Sequence, residues 1–267
     1  MTPRRRRLDV EMLRRDLVSS RSEARRLIEQ GLVTVAGAPA GKASRLVDPA
    51  EPLLVTQTQR YVSRGGHKLE AALAGFGISA DGRRAIDAGA STGGFSDCLL
   101  QRGAAAVVAV DVGRNQLHER LRSDPRVTSL ERSDIRTVSS EAVGGPAELV
   151  VADLSFISLS LVAAALCRLA AADIVVLVKP QFEAGRVEAD RGRGVIRDPR
   201  VWRRALQSAC TAFAAAGAAV VAIMVSPLKG AEGNVEFLLH ADVRPGAAGL
   251  ADRDAAIDRA VDHGKVV

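Results

Sequence analysis

The stretch Asp87–Phe95, with the sequence DAGASTGGF, decides the fold of this chain, because it follows a short apolar run and precedes a helical pattern. A dinucleotide fingerprint would need glycine where the chain has Ser91, and the ending of a phosphate-binding P-loop is missing. The carboxylate of Asp87 can hold an amino group, and amides at the start of a helix can bind a carboxylate. The methionine part of S-adenosylmethionine offers both groups, so we expect this cofactor here.

Apolar runs on both sides of this stretch alternate with helical patterns, which predicts an α/β fold with a mostly parallel sheet covered on both faces. Ligands of such sheets bind beyond the carboxyl ends of the strands, so residues at those ends are site candidates. The predicted helices include Phe95–Arg102 and Pro199–Ala216. The predicted strands are Ala85–Asp87, Ala106–Asp111, Glu148–Asp153, Ile174–Lys179, Ala218–Val225 and Val235–His240.

Acidic residues near the ends of successive strands extend the predicted cofactor site. Asp111 lies 22 positions beyond Gly89, close to the offset at which an acid meets ribose hydroxyls, and Asp134 is placed to meet the adenine amino group. Structural turns and solvated carboxylates are the alternative explanation. The predicted cofactor-binding residues are Asp87, Gly89, Ser91, Thr92, Gly93, Gly94, Phe95, Asp111 and Asp134.

Four ionisable residues, Lys68, Asp153, Lys179 and Glu236, lie in or at the ends of predicted elements and are candidates for the reacting groups. Each could be an ordinary charge, but their places predict that they meet at one edge of the sheet. Amino-group methyltransferases commonly carry two prolines and an aromatic residue after the acid, whereas Asp153 is followed by Leu-Ser-Phe. Methylation of a base nitrogen is therefore disfavoured.

With a base nitrogen disfavoured, the acceptor to consider is a ribose hydroxyl, which must lose its proton while it attacks the methyl group. We expect Lys179 to act as the base, with Lys68 favouring its neutral form and stabilising the developing oxyanion. Asp153 and Glu236 would orient the lysines and the ribose. In the alternative, Lys179 stays charged and stabilises the alkoxide while positioning supplies most of the rate.

Basic residues are concentrated at the start of the chain. Residues 1–60 contain 12 Lys and Arg against 7 Asp and Glu, an excess of five, out of a net charge of +6 for the whole chain. This predicts a polyanionic partner, although a solubilising tail would also explain the run Arg4–Arg7. The same region predicts a helix with Leu8, Met12 and Leu13 inward, a second helix over 21–30 capped by Ser19 or Ser20, and a strand over 32–35.

The sequence from Ser20 to Gly37 resembles the RNA-binding domain of the ribosomal protein S-four type. We therefore expect a small α+β RNA-binding domain at 1–60, in front of a catalytic domain at 61–267. The predicted RNA-binding residues are Arg4, Arg6, Arg14, Arg21, Arg25 and Arg64. The Arg- and Gly-rich stretch Gly185–Val195 could be a further RNA-facing loop or an ordinary solvated loop.

Five stretches, Ser63–Leu69, Asp87–Phe95, Ala152–Ser158, Leu177–Glu183 and Gly233–Glu236, resemble the TlyA family within the FtsJ-like 2′-O-methyltransferase group. The resemblance implies a Rossmann-like domain with a seven-stranded sheet, S-adenosylmethionine as methyl donor and 2′-O-methylation of cytidine in ribosomal RNA. It also implies that the four ionisable residues above form a catalytic tetrad. One departure is Tyr61, where relatives carry tryptophan between the two domains.

Two rival functions remain open at this point. Some members of the family are called hemolysins, but neither a convincing membrane span nor an exposed amphipathic helix is predicted. The other rival, a ribosome assembly factor that binds RNA without chemistry, is disfavoured by the four ionisable residues. The three scattered cysteines and the lack of a signal peptide favour the cytoplasm, and no metal site is predicted. The expected partner is ribosomal RNA or a ribosomal subunit, and the oligomeric state stays open.

Overall fold

The computed structural model of the chain describes residues 5–55, 60–184 and 194–267. Contacts divide the chain into two compact units, Met1–Arg60 and Tyr61–Val267. Arg4 and most of the stretch Gly185–Val195 lie outside the described residues, so the predictions made for them stay untested.

In the first unit, two helices and short antiparallel strands surround a small apolar core. The elements are β1 (Arg6–Arg7), α1 (Leu8–Arg14), α2 (Arg21–Glu29), β2 (Val33–Val35), β3 (Ala38–Pro39), β4 (Leu46–Val47) and β5 (Leu53–Val55). β1 pairs with β4, and β2 lies between β3 and β5 in a three-stranded sheet. The predicted second helix and the strand that follows it are confirmed.

Local hydrogen bonds explain where α2 begins. Ser20 caps the helix by accepting a hydrogen bond from the backbone amide of Glu23 at 3.1 Å. The carboxylate of Glu23 accepts in return from the amide of Ser19 at 2.7 Å. The prediction for α1 was wrong at Leu13, which is 37% exposed, because the short helix ends at Arg14 and turns only the side with Leu8 toward the core.

The second unit is built on a seven-stranded sheet in the order β11-β12-β10-β9-β6-β7-β8, in which β12 alone runs opposite to the other six strands. The strands are β6 (Arg84–Ala88), β7 (Ala106–Val110), β8 (Val127–Leu130), β9 (Ala147–Ala152), β10 (Ala170–Val178), β11 (Ala219–Val225) and β12 (Phe237–Asp242). The predicted mostly parallel, seven-stranded α/β architecture is confirmed.

Helices cover both faces of this sheet. They are α3 (Gly65–Phe76), α4 (Gly94–Gln101), α5 (Glu119–Arg122), α6 (Ala163–Leu169), α7 (Pro180–Glu183), α8 (Pro199–Ala215) and α9 (Arg253–Gly264), with a 3-10 turn at Leu159–Leu161. Because side chains alternate along a strand, Val150 packs into the layer that holds α6, α8 and α9, while Val151 packs into the layer that holds α3 and α4. No helix within the described ranges is both long and apolar enough to cross a membrane.

Two strands differ from the prediction. The edge strand β8 had not been located in the sequence, because none of its four residues is fully buried and Thr128 and Ser129 interrupt any apolar pattern. The last strand begins at Phe237 rather than Val235, so Glu236 precedes the strand instead of lying within it.

Candidate active site

Lys68 and Glu236 form a buried ion pair at the carboxyl edge of the parallel strands. Lys68 lies near the start of α3, and the two residues are 6% and 3% exposed. Nζ of Lys68 donates to Oε2 of Glu236 at 2.5 Å. Phe237 pairs with Val178 across the antiparallel strands, which places Glu236 at the same edge as Lys179. Two charges can be buried together here because each one neutralises the other.

Lys179 is also buried, and three groups surround its ammonium. Asp153 directly follows β9, and Lys179 directly follows the neighbouring strand β10. Nζ of Lys179 lies 2.6 Å from Oδ1 of Asp153 and donates to Oγ of Ser155 at 2.9 Å. The ring centroid of Phe182 is 5.7 Å away, within the range of a cation–π contact. The position of this ammonium is therefore fixed by the protein.

The four predicted reacting residues thus form two ion pairs at the carboxyl edge of the sheet. Asp153 and Lys179 line a cleft of about 180 Å³ at the ends of the strands, whereas Lys68 and Glu236 are buried outside its lining. Asp153 and Lys179 are therefore the pair that a molecule in the cleft can touch directly. The remaining residues of its lining are Ser63, Gly65, Gly89, Ala90, Ser91, Thr92, Gly94, Phe95 and Ser155.

Asp87 holds the start of α4 with one carboxylate oxygen and leaves the other oxygen free. Its Oδ2 accepts from the amide of Ser96 at 2.8 Å and from Oγ of Ser96 at 2.7 Å. Its Oδ1 is buried and has no hydrogen-bond partner among the described residues. Desolvation raises the pKa of Asp87 to about 7, and the charges of Asp153 and Asp111 add to this effect. Asp87, like Lys68, is not part of the cleft lining, but its donor-free buried oxygen has the chemistry to accept from the amino group of the predicted cofactor.

The glycines of the Asp87–Phe95 stretch are required by contacts within the protein. Gly89 has φ +80°, and a Cβ atom there would lie 2.8 Å from the carbonyl oxygen of Asp153. A Cβ atom at Gly93 would overlap Leu121, and one at Gly94 would overlap Oγ of Ser63. These glycines were among the predicted cofactor-binding residues. The close approach of α3, α5 and β9 to the loop is a sufficient reason on its own.

The two acids predicted to hold ribose and adenine differ in their surroundings. Asp111 accepts from the amide of Ser91 at 2.8 Å and from the amide of Gly113 at 2.6 Å. It lines a second, smaller cleft, which shares Ala90 and Ser91 with the first one. Asp134 lines neither cleft, and its carboxylate pairs with Arg136, which lowers its pKa by hydrogen bonding. Within the described residues, no group of His, Cys, Asp or Glu could hold a metal ion.

Phe156 is a candidate site residue that the sequence did not reveal. Its side chain is 90% exposed, and its φ of +63° is a strained backbone conformation for a bulky residue. Its ring centroid lies 5.0 Å from that of Phe182, the ring that also contacts Lys179. The aromatic residue after Asp153 was noted in the sequence, but nothing in the sequence between Ser155 and Ile157 indicates that its ring is exposed.

The predicted RNA-binding arginines that the structure describes are all at least partly exposed. Arg6 and Arg14 contact Glu11, and Arg21 contacts Asp9, which the sequence had not indicated. Arg64 is half-buried and precedes α3 in the second unit.

Comparisons with known proteins agree with this architecture. The family described as FtsJ-like methyltransferase matches residues 61–243, and the family described as S4 domain matches residues 6–52. The 16S/23S rRNA (cytidine-2′-O)-methyltransferase TlyA of Mycobacterium tuberculosis is 48% identical over 98% of this chain and 99% of its own length.

Other relatives carry a different name. Hemolysin A of Brachyspira hyodysenteriae is 39% identical over 88% of this chain and 98% of its own length. A solved structure of a Streptococcus thermophilus protein named as a hemolysin has a TM-score of 0.76 and 36% identity, and the match covers all of this chain and 98% of that one. The shared sequence and fold therefore extend over both units.

Proposed function

The chain belongs to the TlyA family of FtsJ-like methyltransferases, and from this premise we propose that it methylates the 2′-hydroxyl of a cytidine in ribosomal RNA, using S-adenosylmethionine. The observation that carries the proposal is that the glycine loop and the Asp153–Lys179 pair line one cleft. We assign RNA binding to residues 1–60 and catalysis to residues 61–267. The partner is a ribosomal subunit or its RNA, and the proposed place of action is the cytoplasm.

The residues of the loop fit the methyl donor. The free Oδ1 of Asp87 would hold its amino group, the amides at the start of α4 its carboxylate, and Asp111 its ribose. Ser91, Thr92 and Phe95 would line its path, and Asp134 remains the proposed partner of the adenine amino group. The bound donor would supply an electrophilic methyl group, and the protein would position the hydroxyl and either accept its proton or stabilise its developing negative charge.

Lys179 is the residue of the tetrad that is best placed to act on the hydroxyl. Its ammonium lines the cleft and is fixed by Asp153 and Ser155. Either it takes the proton in its neutral form, or it stays charged and stabilises the developing negative oxygen. In the Lys68–Glu236 pair the two charges cancel, so we assign it the role of holding the start of α3 and the start of β12 at the carboxyl edge of the sheet. An activity profile against pH separates the two roles, because only the first requires a deprotonated lysine.

Phe156 is placed to receive the base of the target nucleotide. An aromatic ring that is 90% exposed and lies 5.0 Å from Phe182, the ring that contacts the Lys179 ammonium, offers a stacking surface for a base taken out of its helix. Every base has a flat face, so this contact would position the nucleotide, and other groups would select cytidine.

The proposal is tested by mapping labelled methyl groups. Ribosomal subunits that lack the modification are incubated with the protein and tritiated S-adenosylmethionine, and the modified nucleotide is identified after digestion. We expect label on a cytidine ribose. Lys179→Met should lower the rate by about 100-fold or more, since it removes the group that acts on the hydroxyl. Cofactor affinity should stay within a few-fold of the wild-type value.

The matched control is Lys265→Met, which removes an exposed lysine that pairs with Asp262 in the last turn of the chain. It should leave the rate unchanged. Label on a base nitrogen, or full activity of the Lys179 variant, would contradict the proposed chemistry. No transfer to RNA by the wild-type protein would contradict the proposed function itself.

A further inference from the structure

Two buried carboxylates lie beneath the arginines of the first unit. Asp9 and Glu11, both on α1, are fully buried, although the unit has only a small core. We define the arginine face as the six arginines that these two carboxylates contact. They are Arg6, Arg7, Arg14, Arg15, Arg21 and Arg25.

Asp9 gathers arginines from three places in the chain. Nε of Arg7 donates to Oδ1 at 3.0 Å, and its terminal nitrogen donates to Oδ2 at 3.1 Å. Arg21, at the start of α2, donates to the same Oδ2 at 3.0 Å, and Nε of Arg25 donates to it at 3.4 Å. A single carboxylate therefore orients one arginine of β1 and two arginines that lie one turn apart on α2.

Glu11 does the same for the other half of the face. Arg14 contacts both of its oxygens, at 2.6 and 3.0 Å, and Nε of Arg15 donates to it at 2.8 Å. A terminal nitrogen of Arg6 donates to Oε2 of Glu11 at 3.4 Å. Arg15 is the least exposed of these and also donates to the carbonyl of Glu51 at 2.8 Å, so it is the arginine that ties Glu11 to the fold.

The outer parts of the other arginines remain available. The side chains of Arg14, Arg21 and Arg25 are 50%, 47% and 52% exposed, whereas the carboxylates that hold them are not exposed at all. A guanidinium has five N–H donors, and Asp9 uses only one from Arg21. The face therefore presents oriented donors and positive charge to solvent, with the negative charge below the surface.

We propose that Asp9 and Glu11 are positioning residues for RNA: each holds three arginines in the arrangement that binds backbone phosphates. That the partner is RNA rests on the proposed function, and the new part of the inference is the role of Asp9 and Glu11. An arginine that is already oriented loses less side-chain entropy when it binds phosphate than a free one does. Hydrogen bonding by Arg14 lowers the pKa of Glu11 to about 2, so this carboxylate stays ionised at neutral pH.

The direction in which these substitutions change the affinity for RNA tests this role. Asp9→Asn and Glu11→Gln each remove a negative charge, so electrostatics alone predicts tighter binding to RNA. Positioning predicts weaker binding, by about tenfold. The matched control is Glu29→Gln, which removes an exposed charge of α2 that contacts none of the six arginines. It should bind as tightly as the wild-type chain or slightly more tightly.

The assay is fluorescence anisotropy of a labelled RNA hairpin with the full chain, repeated at several KCl concentrations, with thermal unfolding as the check of folding. A double-mutant cycle separates positioning from simple destabilisation. Arg21→Ala should cost much less affinity in the Asp9→Asn background than in the wild-type chain. If the two losses add, or if folded Asp9→Asn and Glu11→Gln bind at least as tightly as the wild type, the inference is wrong. If the wild-type chain itself does not bind the hairpin or ribosomal subunits, the proposed function fails instead.

Discussion

The substitution Asp87→Asn should stabilise the protein at high pH and at the same time weaken its binding of the cofactor. Asp87 is fully buried, and desolvation raises its pKa from 3.8 to about 7. When the pKa of a carboxyl is higher in the folded protein than in the unfolded chain, the unfolded chain ionises first as the pH rises. The folded protein therefore loses stability between the pKa of the unfolded chain and the pKa of the folded protein. The wild-type protein should therefore lose stability between about pH 4 and pH 7 on account of this residue.

The size of the effect follows from the shift. One pKa unit corresponds to about 1.4 kcal/mol, so a shift of about 3 units disfavours the ionised form by about 4 kcal/mol at pH 8. Asparagine keeps an oxygen that can accept from the amide of Ser96, but its amide nitrogen would take the place of the unpartnered Oδ1. An unsatisfied buried donor costs about 1 to 3 kcal/mol. The net gain at pH 8 is about 2 kcal/mol; it should vanish near about pH 5 and become a loss of about 1 to 2 kcal/mol at pH 4, where the wild-type carboxyl is neutral and only the cost of the unsatisfied amide remains.

Cofactor binding should change in the opposite direction. An amino group is held by the ionised form of Asp87, whose population rises from about one tenth at pH 6 to about one half at pH 7 if its pKa is about 7. The affinity of the wild-type protein should therefore rise about fivefold over this interval, in which the ligand's own amino group remains mostly protonated. Asp87→Asn should bind more weakly and without this pH dependence.

Thermal unfolding between pH 4 and pH 8 measures the first effect, and calorimetric titration with S-adenosylhomocysteine at pH 6 and pH 7 measures the second. Uptake or release of protons is obtained by repeating the titration in buffers of different ionisation enthalpy. The reasoning is refuted if the variant binds as tightly as the wild type at pH 7, or if its stability follows that of the wild type across the whole range.

Two further predictions concern Phe156 and Gly89. Phe156→Ala should leave the melting temperature unchanged, because the ring is exposed, but it should raise the KM for RNA about tenfold or more. The control Leu161→Ala removes another exposed apolar side chain and should change neither the melting temperature nor the KM. Gly89→Ala should cost at least about 2 kcal/mol of unfolding free energy, because its Cβ would meet the carbonyl of Asp153 at positive φ. Gly82→Ala, with φ +68° and no atom near its Cβ, should cost only about 1 kcal/mol, and equal losses at the two sites would show that the close contact is unimportant.

The parallel strands could be predicted because they are buried on both faces, so that apolar residues follow one another without interruption. β9 and β10 consist largely of valine, leucine, isoleucine and alanine with hardly an exposed position. β8 has no such pattern, because an edge strand is only partly covered. Its place depends on pairing with β7, a contact that the local sequence does not encode.

The candidate site shows a similar limit. Strand ends predicted which charged residues would lie at one edge, but the order of the strands in the sheet decides which of them touch. Asp153 pairs with Lys179 because β9 and β10 are neighbours, although 25 residues separate the two in the sequence. Four of the six arginines of the arginine face, Arg6, Arg14, Arg21 and Arg25, were among the predicted RNA-binding residues, on the basis of an excess of positive charge. The two carboxylates that hold it had been counted only as charges that reduce this excess.

The reversed strand β12 explains how Glu236 reaches the site. Residues that follow parallel strands lie at the carboxyl edge, so a residue that precedes a parallel strand would lie at the far edge of the sheet. Because β12 runs antiparallel to β10, its first residue, Phe237, pairs with Val178, the last residue of β10. Glu236 therefore stands at the carboxyl edge because it comes before its strand, and it meets Lys68 from α3 there. Had β12 been parallel, Lys68 would be left buried without its carboxylate, which is several kcal/mol less favourable than the pair.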